Sequence, residues 1–282
     1  MSDHAGKYSI RAMCQALGIA RSGYTRWQHQ GGITRQAQAD AELTEQIRVV
    51  FEHSGQTYGA PRVYAELKVQ GVQCSRRPIA RLMRMAQLNA TPPRRRAHTT
   101  QADEQHHSVC NVLAREFSAD APNRKWLVDI TGIWTDEGWL YLAGVLDLFS
   151  RRLVGWAMDE HMPDKLTQEA LEMAILQRRP PDQLLHHADQ GSQSTSDQYQ
   201  ALLAKHRRLA SFSGLGCCYD NAPMERFWAT LKTELISPHH YRTRAEAKNA
   251  IFAYIETWYN RQRRHSTLGY LSPEHFEHQF LS

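Results

Sequence analysis

The sequence lacks the long apolar runs that mark membrane proteins. No apolar stretch approaches the roughly 18–20 residues that a helix needs to cross a bilayer. The start of the chain also lacks the basic and then apolar pattern of a secretory leader. We therefore expect a cytoplasmic protein with no membrane partner.

Cysteine is scarce, and its five copies do not form a recognisable framework. The odd count and the absence of a C-x-x-C pair argue against both a disulfide scaffold and a structural zinc site. The nearest approach to a metal cluster is "HHSVC" at 106–110, which has no second half. This stretch is better interpreted as part of a polar linker.

Charge is distributed unevenly along the 282 residues. Residues 1–100 contain 15 Lys and Arg against 6 Asp and Glu, whereas residues 101–282 contain 19 against 23. A basic front half joined to a slightly acidic back half predicts a polyanion-binding module attached to a different unit. Nucleic acid is the expected polyanion, with a merely solvated basic helix face as the alternative.

The front half shows paired short helical patterns. "YSIRAMCQALGIARSGYTRWQ" (8–28) contains two such patterns, separated near Gly18. In 58–88, Val63, Leu67 and Val69 mark one helix, which Gly71 is expected to close, and Ser75 is expected to cap the next. Inward positions of that second helix are Ile79, Leu82, Met83 and Ala86.

Two short helices joined by a glycine-containing turn are typical of a helix-turn-helix. The second helix carries arginines that we expect to face outward and to contact DNA: Arg76, Arg77, Arg81 and Arg84. An ordinary helical hairpin with a charged face is the alternative. We expect a short helical segment at 1–40, the helix-turn-helix region at 41–96, a basic and polar linker at 97–121 and a catalytic unit at 122–282.

From Lys125 the periodicity changes to that of strands. Ranges 125–134, 138–150 and 151–160 predict three strands with short connections, and therefore an antiparallel meander. Further along, we expect a helix at 164–179 and then a short strand that ends at Asp189. A second helix should begin at a T-x-x-Q box at 195, and a strand should follow at 208–214. Two more helices are expected, one at 219–235 and one at 243–260 that begins with a T-x-x-E box. The whole is an α/β unit, a mixed sheet with flanking helices.

Three acids are hard to explain as ordinary surface residues. Asp129 lies inside a mostly apolar strand, Asp189 ends a strand before a glycine loop, and Glu225 lies in the first turn of an amphipathic helix capped by Asp220 or Asn221. Three carboxylates meeting at a sheet edge can hold two Mg²⁺ or Mn²⁺ ions. Stabilisation by the helix dipole is the alternative for Glu225, and three further acids compete for the site: Asp136, Asp147 and Asp220.

Other residues allow a functional and a structural interpretation. Arg261, Arg263 and Arg264 are candidates for phosphate contacts, and His265 either joins them or fixes the terminal segment. Core or supporting hydrogen bonds are the preferred interpretation of His186 and His187. Six tryptophans are expected in the core: Trp126, Trp134, Trp139, Trp156, Trp228 and Trp258.

The sequence resembles the OrfB-type transposases of the third insertion-sequence family of bacterial mobile elements. The resemblance is carried by "WLVDITGIWTDEGWLYLAGVLDLFSRRLVGWAM", "HADQGSQ", "CYDNAPMERFWATLKTEL" and "YNRQRRHSTLGYLSPEHFE", with "TYGAPRVYAEL" and "RPIARLMRM" upstream. Asp189 and Glu225 enclose 35 residues, the spacing of the second and third acids in DDE transposases and retroviral integrases.

The resemblance implies a ribonuclease-H-like core with a five-stranded mixed sheet, whose acids would be Asp129, Asp189 and Glu225 with two Mg²⁺ ions. It implies hydrolysis at the ends of the element and attack of the freed 3′-OH on another phosphodiester, through a circular intermediate and without a covalent protein–DNA bond. Lys232, seven positions after Glu225, would contact the DNA end. The implied partners are double-stranded DNA at the nucleoid, a second protomer, and a protein from an upstream reading frame.

Three departures from the family pattern stand out. Gln190 replaces a basic residue, two basic residues are missing before Cys217, and Gly132 stands where tyrosine is frequent. The lost basic residues argue for an alternative in which the chain is a silent DNA-binding remnant or regulator of a mobile element, and the three intact acids argue against it. A nuclease that stops at hydrolysis is a third hypothesis.

Overall fold

The computed structural model describes residues 4, 6–29, 31, 33–91, 111–189, 196–213 and 218–281. The chain divides into two compact units, Met1–Ala90 and Thr91–Ser282. Gln190 and residues 214–217, where the sequence departs from the family pattern, lie outside the described residues. In the part of the chain that is described, no helix is both long and apolar enough to cross a membrane.

The front unit is helical throughout its regular structure. Its helices are α1 (Ile10–Ala16), α2 (Arg21–His29), α3 (Arg35–His53), α4 (Ala60–Val69) and α5 (Arg76–Met85). Gly18 has a φ of +62° between the first two helices, as the sequence predicts. The expected boundary at residue 40 falls inside α3, because Thr34 caps that helix through its side chain.

Helices α3, α4 and α5 pack around a common core. Each contributes buried apolar side chains to it, among them Ile47, Leu67 and Ile79. Gly71 follows α4 with a φ of +83°, as predicted. Of the three residues that mark α4, Val63 and Leu67 are buried, whereas Val69 lies on the last turn and is exposed.

The second unit is built on a five-stranded sheet with the order β3-β2-β1-β4-β5. The strands are β1 (Lys125–Thr135), β2 (Gly138–Asp147), β3 (Leu153–Asp159), β4 (Leu185–Ala188) and β5 (Leu209–Phe212). The first three strands pair antiparallel, which confirms the predicted meander. Strand β4 pairs parallel with both β1 and β5, so the sheet is mixed as expected.

Helices flank this sheet. They are α6 (Asp164–Arg178), α7 (Asp197–Lys205), α8 (Ala222–Leu231), α9 (Arg244–Ala253) and α10 (Pro273–Leu281). A 3₁₀ turn, Cys218–Asn221, precedes α8, and π-helical segments Lys232–Ile236 and Tyr254–Tyr259 follow α8 and α9. Another 3₁₀ turn spans Ser266–Leu268.

The helix starts agree with the capping signals in part. Thr243 and Glu246 form the predicted capping box of α9. The side chain of Ser196 caps α7, one residue after Thr195, where the expected box begins and which lies outside the described residues. Asn221 stands at the N-cap of α8, but its side chain makes no cap hydrogen bond. The predicted capping role was wrong because that side chain is used elsewhere, as described below.

Alternation along β1 divides the core between the two faces of the sheet. Leu127 and Ile133 pack with α8 and α9, whereas Trp126 and Val128 pack with α6 and α7. Asp129 shares the face of Leu127, so its side chain is directed to the α8 side. On the other face, a methyl group on Gly155 would overlap the backbone of Ala170, so α6 lies directly against β3.

Two of the tryptophans predicted for the core are on the surface. Trp134 and Trp139 are 58% and 48% exposed, with ring centroids 5.2 Å apart. They form a cross-strand pair at the end of the β1–β2 hairpin. The Trp139 ring lies over Gly132, where an added Cβ would be 3.0 Å from its Cε3 atom. Glycine at 132 therefore makes room for this ring.

Candidate active site

Asp129 and Asp189 occupy equivalent places on neighbouring parallel strands. Val128 of β1 pairs in register with Ala188 of β4, and each of these residues is followed directly by one of the two aspartates. Strand β4 ends at Ala188, whereas β1 continues beyond Asp129. Asp129 is half-buried and Asp189 is exposed. The parallel register thus brings two carboxylates to one edge of the sheet.

Glu225 reaches the same edge because α8 is fixed to β1 on both sides of it. The Asn221 amide Nδ2 donates to the carbonyl oxygen of Val128 at 3.3 Å. The Trp228 indole Nε1 donates to Oδ2 of Asp129 at 3.0 Å. Glu225 lies between these two contacts in the first turn of α8 and is half-buried.

The carboxyl group of Asp129 is influenced both by burial and by the other two acids. Burial, together with the negative charges of Asp189 and Glu225, raises the pKa of Asp129 to about 6. Hydrogen bonds from the Ile130 amide, at 2.8 Å, and from the Trp228 indole act in the opposite direction. Asp129 is thus ionised at neutral pH at a free-energy cost that a nearby cation would remove.

The chemistry of the donors fits a hard divalent cation. Carboxylate oxygens are the ligands that Mg²⁺ and Mn²⁺ prefer. Among the described residues, no Lys, Arg or His forms an ion pair with Asp129, Asp189 or Glu225. Within the same residues, no three His, Cys, Asp or Glu side chains are arranged to hold a metal ion. The chemistry of these oxygen donors, and not a preformed cage of three side chains, is what fits a hard divalent cation.

Asp147, one of the competing acids, has a structural environment. It is fully buried and accepts hydrogen bonds from the Asn123 amide at 2.6 Å, the Phe149 amide at 2.8 Å and the Trp126 indole at 3.1 Å. Burial raises the pKa of this carboxyl group. These contacts close the turn after β2, so Asp147 supports the fold.

The other two competing acids also have partners outside the site. Asp220 is buried and accepts from Asn111 Nδ2 at 2.8 Å and Arg115 Nε at 2.7 Å. Asp136 lies 3.0 Å from the ring nitrogen of His240 at the surface. Asp220 therefore fastens the segment that enters the catalytic unit to the turn before α8.

The histidines before Asp189 support β4. His187 lies between Ser211 Oγ, at 2.9 Å, and Ser213 Oγ, at 3.0 Å, and burial lowers its pKa to about 4. His186 lies against the Tyr199 hydroxyl, and burial lowers its pKa to about 3. Both imidazoles are neutral at pH 7, which confirms the structural interpretation of the pair.

The helix-turn-helix arginines are exposed, as expected: Arg76, Arg77, Arg81 and Arg84. The Arg81 Nη2 donates to both carboxylate oxygens of Asp40 on α3, each at 2.8 Å. Lys232 follows α8 directly and is half-buried. Contacts of these side chains with DNA remain predictions.

The C-terminal arginines differ in accessibility. Arg261 is exposed, whereas Arg263 and Arg264 are buried. The Arg263 guanidinium is engaged by Glu234, with Nη2 2.6 Å from Oε1. The expectation that Arg263 and Arg264 contact DNA phosphates is therefore corrected, because both side chains are enclosed by protein. The His265 amide donates to the Leu271 carbonyl at 3.0 Å, so this residue fixes the terminal segment.

Sequence reasoning missed the polar roles of Asn221 and Trp228. Asn221 was expected to cap its own helix and Trp228 to fill the core. The available signal was position: the two residues stand four before and three after Glu225, so both lie on the side of the helix that carries the acid. Which strand they would contact depends on tertiary packing, which the sequence does not display.

Comparison with known proteins places these features in context. Two models named Integrase core domain match residues 119–218 and 210–273, and an HTH-like domain model matches residues 38–96. The Escherichia coli (strain K12) protein "Transposase InsF for insertion sequence IS3A" is 41% identical over 286 residues, covering 99% of this chain and 97% of InsF. The Shigella sonnei "Insertion element IS600 uncharacterized 31 kDa protein" is 41% identical over 269 residues, which cover 95% of this chain and 98% of that protein.

Solved structures of viral integrases are also similar. The HTLV-2 integrase catalytic core domain in complex with magnesium (trimeric form) is 19% identical with a TM-score of 0.46, covering 56% of this chain and 99% of that one. A chain of the simian T-cell lymphotropic virus intasome in complex with PP2A regulatory subunit B56 gamma is 14% identical with a TM-score of 0.49. The match covers 83% of this chain and 74% of that one.

Proposed function

Because the chain belongs to the IS3 family of insertion-sequence transposases, we propose that Asp129, Asp189 and Glu225 are the acids with which it cuts and joins DNA. The observation that carries this assignment is the register of β1 with β4, which sets the two aspartates side by side. The charges of Asp189 and Glu225 both act on Asp129, which supports a shared site.

The three carboxylates would hold divalent cations. When bound, two Mg²⁺ ions, or Mn²⁺ in their place, activate an attacking oxygen and stabilise the leaving oxygen of a phosphodiester. Asp129 would contribute a carboxylate that is fixed by hydrogen bonds at both oxygens. Glu225 would contribute a second carboxylate, carried on a helix that is anchored to the same strand.

The reaction is a pair of phosphoryl transfers to oxygen. Water first hydrolyses the phosphodiester at the end of the element and leaves a 3′-OH. This hydroxyl then attacks a second phosphodiester and displaces its 3′ oxygen, which joins the strands. Neither step requires a serine or tyrosine nucleophile from the protein.

DNA is the partner that the HTH-like region implies. We further propose that the exposed basic side chains contact its phosphates: Arg76, Arg77, Arg81, Arg84, Lys232 and Arg261. Processing two ends of an element requires at least two protomers in the working complex. A protein or fusion from an upstream frame completes the proposed assembly, which acts at the nucleoid.

The test is cleavage of labelled DNA carrying the element's own ends, in Mg²⁺ or Mn²⁺. Metal-dependent nicking and joining should be lost in Glu225→Gln and retained in Glu169→Gln, which alters an exposed helical acid paired with Lys165. DNA binding should survive in both variants. Nicking without joining would favour the nuclease or a missing upstream partner, and binding without cleavage by the unaltered protein would favour the silent remnant or regulator.

A further inference from the structure

We infer that Trp228 is a positioning residue for the proposed reaction, whose indole N–H sets the orientation of the Asp129 carboxylate and the distance of Glu225 from it. This inference rests on the proposed role of Asp129. It assigns to Trp228 a function beyond filling the core, where its indole is 5% exposed.

Both oxygens of Asp129 are held by protein donors. Oδ1 accepts from the Ile130 amide at 2.8 Å and Oδ2 accepts from the Trp228 indole at 3.0 Å. A carboxylate has about four lone-pair positions, so each oxygen keeps one for another ligand. Two donors on different oxygens stop the group from rotating, and the remaining lone pairs then have fixed directions.

The indole reaches Asp129 because the facing strand provides room for it. Gly144 of β2 is directly opposite Asp129 in the antiparallel register. A Cβ at Gly144 would lie 3.0 Å from Cη2 of Trp228 and 2.9 Å from Cε of Met224. Any larger residue at 144 would therefore displace the side chains that bring α8 onto the strand.

The same hydrogen bond sets the position of Glu225. Residues three and four apart are neighbours on one face of a helix. Glu225 therefore lies one turn from the indole, with the Asn221–Val128 hydrogen bond on its other side. These two contacts attach α8 to β1 at Val128 and Asp129, which are consecutive residues.

A phenylalanine at 228 separates positioning from packing, because it keeps an aromatic ring and removes the N–H. The matched control is Trp156→Phe. Trp156 is half-buried on β3, and its indole donates to Oε1 of Glu256 at 2.9 Å, so the control removes the same kind of bond elsewhere.

The first measurement is the Mg²⁺ dependence of nicking. Loss of a group that orients a metal ligand typically costs 10–100-fold in metal affinity or activity. Trp228→Phe should therefore raise the Mg²⁺ concentration for half-maximal nicking about tenfold, while Trp156→Phe leaves it within twofold of the original. A merely structural role would lower the melting temperature without changing this Mg²⁺ dependence.

The second measurement needs no DNA and no turnover. The chain has seven tryptophans, and the ¹⁵N indole signal of Trp228 is identified by its loss in Trp228→Phe. It should shift when Mg²⁺ is added and again in Asp129→Asn, whereas the Trp156 signal should stay in place. If Trp228→Phe does not fold, the Trp228 signal is identified by elimination, from single Phe substitutions of the other six tryptophans, and is then followed in the unaltered chain and in Asp129→Asn.

Unchanged Mg²⁺ dependence in a folded Trp228→Phe protein, or an indole signal insensitive to Asp129→Asn, would overturn the inference. Failure of the proposed function is distinct from either result. It would be seen as absence of metal-dependent cleavage by the unaltered protein, or as full cleavage by Asp129→Asn.

Discussion

Arg263 and Glu234 form an ion pair inside the catalytic unit, with side chains that are 5% and 7% exposed. The guanidinium donates through Nε at 2.8 and 3.0 Å as well as through Nη2. The Tyr254 hydroxyl also donates to Glu234, at 2.8 Å. Glu234 and Tyr254 belong to the two π-helical segments, so this buried group joins the chain beyond α8 to the chain beyond α9.

Arg263→Met should destabilise the protein by about 3–5 kcal/mol, because it leaves the Glu234 carboxylate buried without its partner. The measurement is urea unfolding, with Arg261→Met at an exposed position as the control and an expected change of about 0.5 kcal/mol or less. Loss of DNA affinity in Arg263→Met with full stability would contradict the structural role.

The stability of the metal-free protein should depend on the ionisation of Asp129. Its pKa is raised from 3.8 to about 6 on folding, so the ionised form carries a cost. The protonated form of Asp129 therefore stabilises the folded protein. This contribution to the free energy of unfolding is fully present below pH 4 and is lost as the pH rises through 6. In EDTA, Asp129→Asn should be about 1–2 kcal/mol more stable than the original at pH 7.5. The difference should shrink as the pH is lowered to 4.5, and a constant difference would count against this origin.

Mg²⁺ should stabilise the native state through the three proposed ligands. At a free concentration of 100 times the dissociation constant, a single site adds about 2.7 kcal/mol to the free energy of unfolding. Thermal unfolding with and without Mg²⁺ measures this gain. It should be lost in Asp189→Asn and Glu225→Gln and retained in Glu169→Gln. An equal gain in all of these proteins would place the ion elsewhere.

Gly155→Ala should be strongly destabilising. The added methyl would overlap the backbone of Ala170 and the side chain of Ala174 in α6. Overpacking typically costs 1–3 kcal/mol, and a rigid backbone neighbour favours the upper end. Gly132→Ala is the matched control, because its crowded neighbour is the exposed ring of Trp139, which can move. Equal midpoints of chemical unfolding for the two variants would refute this account.

Much of this architecture was predictable because it depends on local periodicity. The alternation of β1 predicts that Asp129 lies on the same face as Leu127 and Ile133, and the amphipathic pattern of α8 predicts which side of that helix is buried. The surface position of Trp134 and Trp139 was not predictable in the same way. Both residues continue the apolar alternation of their strands, but they lie beyond the part of the sheet that α6 covers. Where that covered part ends depends on how the helices are placed on the sheet.

The site was predicted as three acids without the contacts that support them. Charge and position were enough to single out Asp129, Asp189 and Glu225. The roles of Asn221, Gly144 and Trp228 depend on the strand register and on the placement of α8, which are non-local. Arg263 was misassigned for the same reason, since its partner Glu234 lies 29 positions earlier in the chain.

The attachment at Asp220 has a mechanical consequence. Asn111 and Arg115 fasten the entering segment to this carboxylate, and the Leu113 amide donates to Ser211 on β5 at 3.2 Å. These bonds hold the stretch 111–115 to β5 and to the turn before α8, ahead of its entry into β1. The helix that carries Glu225 begins directly after the attachment at Asp220, so the stretch 111–115 and this acid share one anchoring turn.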